Sequence, residues 1–178
     1  MPFPPDGEER KPPVSDDHRE SPEANSKVAF CGLSSGAFEV LDLGFKKSIF
    51  CSSTTGEPLT SIAYDESHNL LATGSATGVV TLYDTRSLAT PLTAFGRLDT
   101  EIEDLAFVSR EGRVGLAIAT SDGLPYIASV VPDGPAVSAE LVGADCDPVR
   151  CISVRHNEGR TEVWSASDDG VVRRYIIT

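Results

Sequence analysis

The sequence predicts an all-β fold built from repeated four-stranded sheets. From residue 28 onward, short apolar runs alternate with turn residues, and no long segment has the 3.6-residue period of an amphipathic helix. In addition, a run of small residues that ends in glycine recurs at intervals of 42, 45 and 47 residues. A period near 45 with several short strands in each unit is typical of the blades of a β-propeller.

The recurring glycines mark the tight turn between the second and third strands of each unit. They are Gly36, Gly78, Gly123 and Gly170. Glycine suits such a turn because it adopts a positive φ without steric cost. Five residues further on, two units have the pairs Leu41-Asp42 and Tyr83-Asp84, and the last unit has Tyr175. These positions correspond to the Trp-Asp pair of WD40 repeats in degenerate form, so the repeats predict a propeller of the WD40 type.

A second pattern precedes three of these turns and marks the first strand of the unit. Apolar residues occupy positions 0, +3 and +5, where position 0 anchors the start of the strand and the other two share one face. The three sets are Leu59, Ile62 and Tyr64; Ile102, Leu105 and Phe107; and Val149, Ile152 and Val154. Each unit therefore contains strands a, b, c and d in chain order, with the tight turn between b and c.

This pattern divides the chain into a short segment and about three and a half blades. Residues 28–53 form a blade without strand a, residues 59–97 and 102–143 form complete blades, and residues 149–178 lack strand d. A closed propeller has at least four blades, so the chain is either part of a longer propeller or completes a ring with another chain. Residues 1–27 hold 6 of the 12 prolines and few apolar residues, which predicts a disordered acidic segment.

Composition argues against several classes of function. The chain has 27 acidic and 15 basic residues and a formal net charge of −12, whereas nucleic-acid binding requires a basic surface. No run approaches the roughly 18 apolar residues of a membrane span. The first residues also lack the apolar region of a secretory signal. We therefore expect a cytoplasmic or nuclear protein with reduced cysteines and no nucleic-acid or membrane partner.

The side chains that carry catalytic or metal chemistry are scattered. Zinc sites use cysteine pairs separated by two to four residues. Cys146 and Cys151 have four residues between them but straddle the start of a strand, and Cys31 and Cys51 are far away, so we expect buried thiols instead. Neither histidine of the repeats has a serine or cysteine placed for nucleophilic attack, and there is no glycine-rich phosphate loop. The sequence thus predicts a non-enzymatic protein without a cofactor, metal ion or small-molecule substrate.

The blade pattern also predicts an unequal distribution of charge. Because successive strands alternate in direction, the b–c turns and d–a loops emerge on one face, which we call the acidic face. Its predicted partner-binding residues are Glu57, Asp99, Glu101, Asp122, Asp145, Asp147, Asp168 and Asp169, against the single base Arg97. The opposite face has equal numbers of acids and bases. A cluster of like charge steers oppositely charged partners, so a basic protein surface is the expected ligand.

Some of these aspartates have a possible structural role instead. Aspartate in a turn caps backbone N–H groups, which accounts equally well for Asp122, Asp145 and Asp169. Asp147 precedes a proline and is expected to fix its loop. The remaining Asp99, Glu101 and Asp168 have no evident local role, so the sequence favours them as contacts.

The C-terminal 40 residues carry a more specific signal. The segment Leu141-Val-Gly-Ala-Asp-Cys-Asp-Pro-Val149, followed by Asp169-Gly-Val-Val-Arg-Arg-Tyr175, closely resembles the C-terminal blade of the proteasomal ATPase-associated factor 1 family. Two upstream segments, Leu71–Gly78 and Tyr83–Ser87, resemble the preceding blades of that family. The resemblance covers about residues 28–178 and corresponds to the C-terminal half of the family's propeller.

This resemblance implies a function as well as a fold. Members of the family are WD40 chaperones of the proteasome regulatory particle, and they bind an ATPase subunit of its base. The resemblance therefore implies a non-enzymatic assembly chaperone with a proteasomal ATPase subunit as its partner. The alternative is a general WD40 scaffold that serves another complex, such as a ubiquitin ligase or a chromatin complex.

Overall fold

The computed structural model describes residues 27–157 and 159–177 of the chain. Within these residues the fold contains 14 strands and no helix. No segment of the described chain is therefore a helix long and apolar enough to cross a membrane. Residues 1–26 of the segment predicted to be disordered lie outside the described residues.

The strands form four antiparallel sheets that follow one another along the chain. Blade 1 contains β1 (Val28–Gly32), β2 (Phe38–Asp42) and β3 (Lys47–Cys51). Blade 2 contains β4 (Leu59–Asp65), β5 (Leu70–Ser75), β6 (Val79–Asp84) and β7 (Thr93–Gly96). Blade 3 contains β8 (Ile102–Arg110), β9 (Arg113–Thr120), β10 (Tyr126–Val131) and β11 (Ala136–Glu140). Blade 4 contains β12 (Val149–Asn157), β13 (Arg160–Ser167) and β14 (Val172–Ile177). Two complete and two three-stranded blades confirm the predicted partial propeller.

A β-bulge near the start of strand a explains the spacing of its apolar residues. In β4, β8 and β12 the register with strand b shifts immediately after the first residue of the strand. The bulge inserts one residue, so position 0 comes into phase with positions +3 and +5. Ile102 and Leu105 of β8 are accordingly both buried, as are Val149 and Ile152 of β12. The three apolar residues thus share the face that packs against a neighbouring blade.

The hydrophobic core lies between the blades. Blades 1 and 2 enclose Phe38, Val40 and Leu71, which are fully buried or nearly so. The interface of blades 2 and 3 is larger and includes Leu82 of one blade and Leu116 of the other. A third cluster joins blades 3 and 4. Burial of one such aliphatic side chain contributes about 1.5–3 kcal/mol, so the stability of each blade depends on its neighbour.

Polar contacts at the bulges fix the relative position of neighbouring blades. The Thr60 hydroxyl donates a hydrogen bond of 2.5 Å to the carbonyl oxygen of Ile102 in the next blade. The amide of Ile152 donates one of 2.8 Å to the Asp104 carboxylate in the blade before it. A hydrogen bond to a charged group contributes about 1.5–3 kcal/mol, and unlike apolar packing it is directional.

The aspartate after strand c has a structural role in both blades that carry the predicted pair. Asp42 Oδ1 accepts hydrogen bonds from the amides of Gly44 and Phe45, at 2.8 and 3.0 Å. Asp84 accepts from the amide of Arg86 at 2.9 Å and from its guanidinium group. Each aspartate therefore caps the turn that leads into strand d.

The aromatic residue of the pair lies between blades. The Tyr83 ring meets the Phe38 ring of blade 1 edge to face, with 4.9 Å between centroids. Tyr83 is half-buried, and burial raises the pKa of its hydroxyl group.

We expect Tyr83→Ala to lower the free energy of unfolding by about 3 kcal/mol, because the substitution leaves a cavity between two blades. Urea unfolding measures this change. Tyr83→Phe keeps the ring and is the control, and equal stability of the two variants would contradict the assignment.

The Asp84 turn predicts a dependence of stability on pH. Its hydrogen bonds to the Arg86 side chain and amide lower the pKa of Asp84 from 3.8 to about 2. A carboxyl group with a lower pKa in the folded state stabilises the fold above its unfolded pKa. This stabilisation is lost as the pH falls through the folded value. The stability difference between wild type and Asp84→Asn, measured by urea unfolding, should therefore shrink between about pH 5 and about pH 2. A difference that stays constant over this range would show that the charge of Asp84 does not contribute to the stability of the fold.

Candidate protein interface

The b–c turns and d–a loops are locked together by close packing around glycine. A Cβ atom at Gly36, Gly78 or Gly123 would meet the d–a loop that follows the same blade. The atoms it would meet belong to Thr55 and Glu57, to Leu98 and Thr100, and to Cys146 and Asp147, respectively. At Gly123 the two nearest separations are only 2.6 and 2.7 Å, to the carbonyl carbon of Cys146 and the carbonyl oxygen of Asp147. Three consecutive blades thus repeat one contact, which positions the loops of the acidic face.

The same glycines are also required by the backbone conformation of the turn. Gly36, Gly78, Gly123 and Gly170 have φ values of +82°, +84°, +77° and +77°. A side chain is strained in this region, so the turn alone favours glycine. Gly170 differs from the others because nothing lies within 4 Å of its Cβ position. At position 170, only the positive φ of the turn favours glycine.

Five carboxylates of the acidic face have no side-chain partner among the described residues. They are Glu57, Asp99, Glu101, Asp145 and Asp147, and no other part of the described chain forms a salt bridge or hydrogen bond with these carboxylates. Four of the five residues are exposed, and Glu101 is half-buried. They belong to three successive d–a loops, so the unpaired charge extends along the row of blades rather than collecting at one point.

The other three predicted carboxylates have local partners. Asp122 Oδ1 accepts a hydrogen bond of 3.1 Å from the amide of Leu124, as expected for a turn cap. Asp169 accepts from the amide of Val171 at 2.9 Å and pairs with Arg173. These hydrogen bonds, above all the one from Arg173, lower the pKa of Asp169. Both residues therefore have the structural role that the sequence allowed.

The sequence-based interpretation that Asp168 has no local structural role was wrong. Its carboxylate lies 2.8 Å from Nη2 of Arg150, and the hydrogen bond from that guanidinium lowers the pKa of Asp168. Arg150 Nη1 also lies 2.5 Å from Glu103 Oε1 on the preceding blade. Sequence reasoning missed this pair because Arg150 and Asp168 lie 18 residues apart in the chain and meet only when β12 and β13 pair, at the open end of that strand pair. Arg150 therefore links blades 3 and 4.

The face remains acidic after these arginines are counted. Besides Arg97 it carries Arg150 and Arg173. It also carries two further carboxylates, Glu103 beside Arg150 and Glu140 beside Arg97. Ten carboxylates thus stand against three guanidinium groups, a net charge of −7. Arg97 is itself occupied, because its Nη2 atom lies 2.7 Å from Glu140 and its guanidinium carbon 5.5 Å from the centroid of the Tyr126 ring.

The cysteines are less buried than expected. Cys51, Cys146 and Cys151 are exposed and Cys31 is half-buried, so the expectation of buried thiols was wrong. Cys51 lies on the edge strand β3, Cys146 lies in a d–a loop, and Cys31 and Cys151 lie on β1 and β12. Within residues 27–157 and 159–177, no group of three or more His, Cys, Asp or Glu side chains is arranged to hold a metal ion.

Comparison with known proteins identifies the fold. No protein-family model and no curated protein sequence matches the chain. Among solved structures, Sqt1 of Saccharomyces cerevisiae is similar, with a TM-score of 0.73 and 21% identity over 86% of this chain and 41% of Sqt1. The computationally designed Ika4 protein has a TM-score of 0.69 and 17% identity over 85% of this chain and 86% of its own. The chain spans about two fifths of the length of Sqt1. Sheet topology and these similarities together define a partial β-propeller of the WD40 type.

The packing around Gly123 predicts a specific sensitivity to substitution. Gly112 has the same φ of +77°, but nothing lies within 4 Å of its Cβ position, so it is a matched control. Gly112→Ala should cost about 1–2 kcal/mol through backbone strain alone. Gly123→Ala should cost about 1–3 kcal/mol more, because its methyl group displaces the d–a loop. Urea unfolding of both variants measures the difference. Equal losses would show that the turn and the loop are not in close contact.

Proposed function

We propose that this chain is a non-enzymatic binding module that assists assembly of the proteasome regulatory particle. Its partner is an ATPase subunit of the particle's base, and the acidic face is the surface that receives a basic region of that subunit. This assignment corresponds to a protein of the cytoplasm, the nucleus or both. It involves no cofactor, nucleic acid, membrane or small-molecule substrate.

The observation that carries this proposal is the set of five unpaired carboxylates on three successive loops. An exposed surface salt bridge contributes only about 0–1 kcal/mol, so a single charge would be a weak argument. Here the charges have one sign, lie on one face and are held by tightly packed glycine turns. Such a surface raises the rate at which a basic partner docks and disfavours acidic partners.

The sequence resemblance supports the same face. The segment Leu141–Val149, which carries the most specific part of the resemblance, forms the d–a loop between blades 3 and 4. It contributes Asp145 and Asp147 to the unpaired set and contacts the Gly123 turn. The most specific part of the resemblance to the proteasome chaperone family therefore lies on the acidic face.

The proposal is tested by measuring the affinity of the full chain for purified proteasomal ATPase subunits. We expect the double variant Asp99→Asn/Glu101→Gln to bind about three- to tenfold more weakly at low salt, because it removes two unpaired charges. Affinity of the wild type should also fall between about 50 and about 300 mM salt, as the charges become screened.

A matched double variant on the opposite face provides the control. Glu66→Gln/Glu111→Gln also removes two carboxylates, but from the a–b turns. It should leave the affinity unchanged. Equal losses from both variants, or an affinity that does not depend on salt, would contradict docking on the acidic face. Capture of ubiquitin-ligase or chromatin subunits in place of proteasomal ATPases would favour the scaffold alternative.

A further inference from the structure

An apolar groove opens within the acidic face at blade 3. One wall is the b–c turn at Gly123, Leu124 and Pro125, and the other is the start of the d–a loop from Leu141 to Cys146. The two walls are joined at the base by a hydrogen bond of 2.9 Å from the amide of Leu141 to the carbonyl oxygen of Pro125. The volume between them is about 270 Å³.

Two aliphatic side chains of the groove are left uncovered. Leu124 is 46% exposed and Val142 is 74% exposed. The neighbouring Leu141 and Pro125 are buried and form a firm base beneath them. A soluble protein seldom places aliphatic residues together in an exposed concave site unless they receive a ligand.

The surrounding backbone holds this groove in one shape. The Tyr175 hydroxyl of blade 4 donates a hydrogen bond of 3.2 Å to the carbonyl oxygen of Val142. Arg97 and Glu140, which form an ion pair, also line the groove. Packing of Gly123 against Cys146 fixes the distance between the walls. Because the groove is preformed, a ligand does not have to order these loops on binding.

The charge around the groove selects the kind of ligand. Asp145 lines the groove and lacks a side-chain partner among the described residues, and the carboxylates of Asp122 and Glu140 flank it. Two guanidinium groups of the described chain lie at the groove, and both are already paired. Arg97 pairs with Glu140, and Arg173, whose Nε atom is 3.2 Å from the Cβ position of Gly143, pairs with Asp169. An apolar floor with an acidic rim complements an apolar side chain that has lysine or arginine on either side. A volume of about 270 Å³ lies below the range of sites for drug-sized molecules, which begins at about 300 Å³.

We propose that this groove is the specificity pocket of the acidic face and receives one aliphatic side chain of an extended basic segment of the partner. The inference rests on the proposed function, since it assigns the apolar anchor of the same interface. Charge brings the partner to the face, and the groove determines which segment of the partner remains bound. In protein interfaces the central apolar anchor typically carries more of the affinity than the charged rim.

A pair of labelled peptides tests the groove directly. The probe is the heptapeptide Lys-Arg-Lys-Leu-Lys-Arg-Lys, and the comparison is the same peptide with serine in place of leucine. Binding to the full chain is followed by fluorescence anisotropy. We expect the leucine peptide to bind about tenfold more tightly, because only its central side chain fills the groove.

Variants of the chain connect this preference to the groove. Val142→Ser and Leu124→Ser should each remove most of the preference for leucine while leaving binding of the serine peptide unchanged. Leu92→Ser is the matched control, because Leu92 is 55% exposed but lies in the c–d loop on the opposite face. Chemical-shift changes at the amides of Leu124, Val142 and Gly143 on addition of the leucine peptide supply a second readout.

The outcomes separate the groove from the proposed function. Equal affinity for the two peptides, or an unchanged preference in Val142→Ser, would overturn the groove assignment. Binding to the ATPase subunit that still weakens in Asp99→Asn/Glu101→Gln would then leave the proposed function standing. If light scattering shows a dimer that Val142→Ser dissociates, the groove belongs to a contact between copies of this chain, and the assignment to a basic peptide is wrong.

Discussion

The packing of each blade against its neighbour is the constraint on which the rest of this structure depends. A three- or four-stranded sheet has two faces, and one sheet alone cannot bury both. The bulge at the start of strand a increases the apolar area that can be buried, since it turns a third apolar residue toward the adjacent blade. The hydrogen bonds from Thr60 to Ile102 and from Ile152 to Asp104 then fix how the blades align. This alignment therefore determines where the loops lie.

The acidic face follows from that alignment and from the glycine turns. Because the b–c turns of blades 1 to 3 pack closely against the following d–a loops, the carboxylates of these loops are held in a row on one face. Like charges brought together oppose folding, and Arg97 in the second d–a loop and Arg150 and Arg173 on blade 4 offset part of this repulsion. Arg150 joins Glu103 and Asp168 across two blades, whereas five carboxylates of the three d–a loops have no side-chain partner within the part of the chain that the structure describes. The unpaired charge thus extends along the three d–a loops of this face.

Sequence periodicity was sufficient to predict the fold, because the turn glycine recurs in all four blades and the spacing of apolar residues in strand a recurs in three of them. It also placed the turns and loops that make up the acidic face. It did not identify which carboxylates are free, because the pairing of Asp168 depends on an arginine 18 residues away. The groove was missed for a similar reason. Leu124 and Val142 are ordinary aliphatic residues in the sequence, and only the packing of two loops leaves them exposed side by side.

The central claim is that the face formed by the b–c turns and d–a loops is the binding surface of this chain. Hydrogen–deuterium exchange of the full chain, with and without a proteasomal ATPase subunit, tests it most directly. Binding to this face should slow exchange in the d–a loops at 52–58, 97–101 and 141–148 and leave exchange in the a–b turns unchanged. Protection confined to the a–b turns and c–d loops would contradict it.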